Sequence, residues 1–86
     1  MNKVYLLIQD YVADLNTEFK VDAYKTMDSA KAALKEAVKE SKPMDKDNGF
    51  EVETDTDTEY EAYVDGEYVD NHSHIYIEEA EVKDWN

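Results

Sequence analysis

The chain has no cysteine, which excludes disulfide staples, thiolate metal centres and a thiol nucleophile. It has only two glycines, Gly49 and Gly66, too few for a glycine-rich loop that cradles phosphate. Neither Gly-x-Ser-x-Gly nor Ser-x-x-Lys occurs, so the common serine-nucleophile signatures are missing. Apolar runs are short: the longest, Val4 to Ile8, stops at Gln9. That is too brief for a secretory core or a membrane span, and a soluble cytoplasmic protein is the expectation. Positive charge is scarce as well. Nine basic residues, all lysine, face 22 acids for a net charge of −13.

What remains is enough for one small folded domain spanning 1–86. Apolar residues make up 42% of the chain, with seven Tyr, two Phe and one Trp among them. Aromatic and β-branched content of this order favours folding over the disorder that the charge alone would suggest. The charge is also unevenly placed. Residues 1–46 carry eight acids and eight lysines, whereas 47–86 carry fourteen acids and only Lys83. Within that half Glu51, Glu53, Asp55, Asp57, Glu59 and Glu61 occupy every second position. Because strand side chains alternate faces, an uninterrupted strand over 51–61 would align six carboxylates on one side.

The periodicities give an α+β layout. Val4, Leu6 and Ile8 alternate with Tyr5, Leu7 and Gln9, apolar on both sides, as in an interior strand. After the polar stretch from Asp14 to Glu18, Phe19, Val21 and Ala23 share one face of a second strand, antiparallel to the first. Thr26 is a helix N-cap with Asp28 in the first turn. Met27, Ala30, Ala33, Leu34, Ala37 and Val38 then follow at helical spacing. Pro43 and Gly49 mark 41–49 as a loop after the helix. Residues 50–86 form an acidic β half. Asp65-Gly66 predicts a two-residue type I′ turn between 60–64 and 67–69. That hairpin would set Tyr60, Ala62, Val64 and Val69 on one face and Glu59, Glu61, Tyr63, Tyr68, Asp70 and His72 on the other. Ile75 and Ile77 begin a last strand, and the change of parity at Ala80 and Val82 predicts a bulge at Glu78-Glu79. The expected fold is a single antiparallel sheet of about five strands with one helix on one face, in the order β-β-α-β-β-β.

The alternating acids are the leading candidate for a binding site. Same-face neighbours on a strand lie about 6.6 Å apart. In water each such pair repels by about 0.6 kcal/mol, and salt roughly halves this. That spacing is about twice the 3.4 Å between phosphates along one DNA strand. A regular row would therefore suit a cleft built for nucleic acid. Two plainer readings compete: an edge strand whose charges block aggregation, and a flexible acidic loop. Tyr63 and Tyr68, beside Glu59, Glu61 and Asp70, resemble a recognition surface in which tyrosines anchor and carboxylates steer.

Other constellations carry less. His72 and His74 project to one side of a strand as two metal ligands could, and nearby acids could supply a third, but two histidines beside a turn are more often structural, and no metal or cofactor is expected. Asp45-Lys46-Asp47-Asn48-Gly49 has its glycine one position early for a calcium loop, and its twelfth position is Thr56 rather than glutamate. Lys31, Lys35 and Lys39 line one helical stripe, too small a basic patch for nucleic acid at a net charge of −13.

The opening Lys3-Val4-Tyr5-Leu6-Leu7-Ile8, then Ala23-Tyr24-Lys25-Thr26 and Ser29-Ala30-Lys31-Ala32-Ala33-Leu34, looks like small acidic proteins of bacterial phages and mobile elements. The resemblance is one of layout and covers the first half. In general character the acidic half resembles DNA-mimic inhibitors of the anti-restriction and anti-CRISPR kind, with no residue to carry over. The expectation is a non-catalytic binding protein for a basic surface, in which Glu51, Glu53, Asp55, Asp57, Glu59, Glu61, Tyr63, Tyr68 and Asp70 meet the partner. A nucleic-acid-handling enzyme is the expected partner, with no direct contact to nucleic acid or membrane. The alternative is a self-associating structural module that uses the tyrosine-bearing sheet face.

Overall fold

A computed structural model describes residues 2–13, 16–68 and 70–83. Two long strands open the chain, β1 (Asn2–Ala13) and β2 (Asn16–Tyr24). Helix α1 (Met27–Asp47) follows, then β3 (Glu51–Asp55), β4 (Glu59–Tyr63) and β5 (Asn71–Val82). The strands form one antiparallel sheet in the order β2-β1-β5-β4-β3. This is the α+β fold expected, with β1 interior as its two apolar faces require.

Helix α1 begins where the sequence places it. The Thr26 hydroxyl accepts from the Ser29 backbone N–H at 3.1 Å, closing the first turn. Ala30, Leu34 and Val38 are buried at helical spacing. Leu34 and Val38 meet Leu7, Ala13, Phe50, Tyr60, Ala62 and Ile75 in a core between helix and sheet.

Three expectations need correction. The helix does not stop before 41–49; it runs through Pro43 to Asp47. An interior proline removes a backbone donor and costs about 3 kcal/mol. Tertiary contacts offset this by pinning the last turns. The Ser41 hydroxyl donates to Asp45 Oδ2 at 2.9 Å, the Tyr60 hydroxyl donates to the same oxygen at 2.7 Å, and Ser41 Oγ lies 3.1 Å from Ser73 Oγ. The loop is thus only the short segment around Asn48 and Gly49, whose φ of 78° suits glycine.

Asp65-Gly66 does turn the chain, with Glu67 N–H donating to the Val64 carbonyl at 2.9 Å and Gly66 at φ 81°. It does not join two strands directly. A second turn follows, in which the Asp70 and Asn71 N–H groups donate to the Glu67 carbonyl. Pairing resumes at Tyr63 opposite His72, so 67–68 belong to a loop and β5 starts at Asn71, not Ile75. Val69 lies outside the described residues, as does Asp14 in the first inter-strand segment.

The bulge expected at Glu78-Glu79 is absent, because β5 pairs with β1 in unbroken register from Asn71 to Val82. The parity change has another origin. Ala80 pairs with Val4 on the face away from the helix, and that face is apolar there. The sheet's irregularity falls instead between Val52 and Thr54.

Candidate functional site

The irregularity in β3 decides what becomes of the acidic row. Glu51 pairs with Tyr63, whose register places it on the face away from the helix. Past the shift, Asp55 pairs with Tyr60, a fully buried residue on the helix-facing side. One extra residue in a strand reverses the faces of everything beyond it. Asp55 therefore reaches Lys42 of α1 at 2.7 Å, and Asp57 at the hairpin tip reaches Lys31 at 3.2 Å. The tip itself is a tight turn. Thr56 N–H donates to the Glu59 carbonyl, and Thr56 Oγ1 accepts from the N–H groups of Thr58 and Glu59. After the turn Glu59 and Glu61 return to the far face, opposite Tyr76 and His74.

The six carboxylates are thus divided, not aligned. Glu51, Glu59 and Glu61 stand on the uncovered face. Glu53, at the irregularity, lies near enough to Tyr63 for its charge to be the main cause raising that phenol above its ordinary pKa. Asp55 and Asp57 turn to the helix. Surface ion pairs of this kind contribute about 0–1 kcal/mol each, comparable to the self-repulsion of the row they relieve. The predicted single-sided row is therefore replaced by two groups with different surroundings.

The uncovered face is built from alternate residues of all five strands. Toward β3 it is acidic and aromatic. The Tyr68 hydroxyl donates to Glu61 Oε2 at 2.9 Å, and its ring meets Tyr63 edge-on at 5.1 Å and stacks on His72 at 4.5 Å. Burial, then the bond to Glu61, pushes the Tyr68 phenol up to about 12. His74 stacks on Tyr76 at 4.3 Å, with Nε2 at 2.7 Å from Glu59 Oε2. Asp70 sits exposed in the loop before β5, away from the strand face on which its parity had placed it.

Asp10 and the apolar strip were not recognised from sequence. Asp10 pairs with His74 on this face, and its Oδ2 lies 3.1 Å from buried His72 Nε2 without the alignment of a hydrogen bond. His72 Nδ1 donates to the Tyr68 carbonyl at 2.6 Å, tying the loop to the sheet. Each imidazole thus meets one carboxylate, His72 that of Asp10 and His74 that of Glu59. Among the described residues no three His, Asp or Glu side chains are arranged to hold a metal ion.

Toward β2 the same face is apolar. Phe19 is 66% exposed and Val21 46%, beside Val4, Leu6 and Ile8 of β1. The alternation in 19–23 was legible, but not which side the helix covers. Strand lysines complete the pattern. Lys3 pairs with Glu81 and Lys20 with Gln9, both in the register that faces the helix. No described strand position on the uncovered face holds a lysine. The acids of the uncovered face thus have no strand lysine beside them, whereas Lys3, Lys20 and the lysines of α1 accompany the acids of the other side.

No described helix is long and apolar enough to cross a membrane. Compared with known proteins, the chain matches no family model, no curated protein and no solved structure.

Proposed function

We propose that this is a non-catalytic binding protein whose uncovered sheet face docks on a basic protein surface. The observation that carries the reading is that Asp10, Glu51, Glu59, Glu61 and Glu78 share the uncovered face with no strand lysine among them, whereas Lys3 and Lys20 offset the strand acids of the other face. Tyrosines between carboxylates supply contact area with little rotamer entropy to lose, and the carboxylates steer encounter. The adjoining apolar strip around Phe19 and Val21 gives the patch a dry region, as stable interfaces have. Extents of 44 × 21 × 17 Å give an elongated body whose long side is of the order of the roughly 800 Å² per partner of a standard interface.

Proteins that handle nucleic acid are the partner class with basic surfaces of this size, and an inhibitor that occupies such a surface is the specific form proposed. Its mimicry rests on charge spread over a patch, since Asp55 and Asp57 leave the row. The test is capture of the basic partner at about 50 mM and about 500 mM salt, across roughly a threefold change in screening length. Capture should be lost at high salt, be displaced by duplex DNA, and disappear in Glu59→Lys/Glu61→Lys with the fold intact by circular dichroism. Capture that survives the reversed charges overturns the reading.

Exposed Phe19 and Val21 on the edge strand β2 favour a second reading, self-association. Light scattering across a salt series separates the two, because apolar association persists or strengthens at high salt.

A further inference from the structure

The helix side of the molecule carries a second surface of opposite character. Between α1 and the β3–β4 hairpin tip runs a groove of about 830 Å³. Its volume falls in the range of small-molecule sites, about 300–1,000 Å³. Leu34 and Val38 contribute its apolar floor, with Ala32 and Pro43 beside them. The ion pairs Lys31–Asp57 and Lys42–Asp55 bridge it at two places. On the helix these two lysines are eleven residues apart, about 16 Å along the axis.

Lys35 and Lys39 lie between the two bridges, also lining the groove, and neither has a partner among the described residues. Glu36 is the remaining charge on the lining. In a chain of net charge −13, two unpaired lysines one helical turn apart beside an apolar floor mark a local preference for an anion. The acids of the uncovered face stand across the sheet, where screening over about 8 Å weakens their opposition.

We propose that this groove binds an amphipathic carboxylate, its alkyl chain along Leu34 and Val38 and its head group between Lys35 and Lys39. The cross-bridges favour a small ligand over a peptide strand, which would have to open Lys31–Asp57 or Lys42–Asp55 to pass through. The site is separate from the sheet face and does not depend on the function proposed for that face.

Calorimetric titration with dodecanoate, kept below its micelle concentration, tests the assignment. Saturable one-to-one binding is expected, and Lys35→Gln/Lys39→Gln should weaken it at least tenfold. Both positions are exposed and glutamine is a good helix former, so the variant keeps the fold. Dodecanol and the dodecyltrimethylammonium ion should bind at least tenfold more weakly. Shortening to decanoate and then octanoate should cost roughly threefold to fourfold per methylene. Three results overturn the proposal: no saturable binding up to about a millimolar (about −4 kcal/mol), equal affinity for dodecanol, or no change in the double lysine variant. Dodecanoate binding abolished by Phe19→Lys would place the ligand on the sheet face and overturn it too. An oligoglutamate probe that binds through Lys35 and Lys39 while dodecanoate does not would assign the groove to an acidic peptide instead.

Discussion

Replacing Tyr60 by phenylalanine removes one oxygen atom from the centre of the molecule. Tyr60 is fully buried, and its hydroxyl donates to Asp45 Oδ2 at 2.7 Å. Asp45 is 1% exposed and sits in the last turn of α1, where the helix dipole is unfavourable to an acid. Its Oδ2 also accepts from Ser41, while Oδ1 is buried without a partner among the described residues. Tyr60→Phe leaves the ring packing in place and leaves the buried carboxyl with Ser41 as its one donor. A hydrogen bond to a charged group contributes about 1.5–3 kcal/mol, so a loss of about 2 kcal/mol is expected. At about 4–8 °C per kcal/mol for a domain of this size, Tm should fall by roughly 8–16 °C. Urea unfolding followed by far-ultraviolet circular dichroism measures the change. Tyr24→Phe is the control, since Tyr24 is only half-buried and its hydroxyl has no partner among the described residues; it should stay within about 0.5 kcal/mol. In an Asp45→Asn background the bond becomes neutral, and Tyr60→Phe should cost only about 1 kcal/mol. A cost below about 0.5 kcal/mol, or the same cost in both backgrounds, refutes the reasoning.

The same phenol predicts a weakness in alkali. Burial, then the bond to Asp45, raises the Tyr60 pKa well above its ordinary value of 10.0, and Tyr68 is raised to about 12. The stability these groups contribute is complete below pH 10 and is lost above it, as the unfolded chain releases protons that the native state keeps. Urea midpoints should therefore fall from about pH 9 to about pH 11, less steeply in Tyr60→Phe; parallel profiles would contradict this. Pro43→Ala restores a helical N–H, and stabilisation by about 1–3 kcal/mol in the same urea assay is expected, while destabilisation would mean that proline is needed there. Gly66→Ala meets no neighbouring atom within 4 Å, so its expected cost of about 1 kcal/mol is the strain of an alanine at φ 81° and nothing else. A neutral result would show that the turn relaxes.

The first half of the molecule was legible because its signals are local and agree with one another. Thr26 caps the helix by its own side chain, and Ala30, Leu34 and Val38 repeat at the helical period. The β1 segment is apolar on both faces and lies inside the sheet. Local signals failed where distant partners intervened. Pro43 reads as a helix stop, but Tyr60 and Ser73, far along the chain, hold Ser41 and Asp45 in helical geometry. Asp65-Gly66 reads as a complete hairpin turn, whereas a second turn through Glu67 delays pairing until Asn71.

The element order, the helix start, the buried faces of α1 and β4, and the concentration of acids after residue 46 can all be read from the chain alone. These follow from side-chain period and backbone chemistry, which act within a few residues. Where the charges point is set by packing between segments distant in the chain. The shift between Val52 and Thr54 turns Asp55 and Asp57 toward Lys42 and Lys31, because opposite charge waits on α1 and self-repulsion waits on the strand. Tertiary structure likewise decided which side of β2 stays bare, since alternation in Phe19, Val21 and Ala23 fixes that they share a face but not where the one helix packs. A single helix covers one face of a five-stranded sheet, and the face left open holds Glu51, Glu59 and Glu61, Tyr63 and Tyr76, and the apolar strip together.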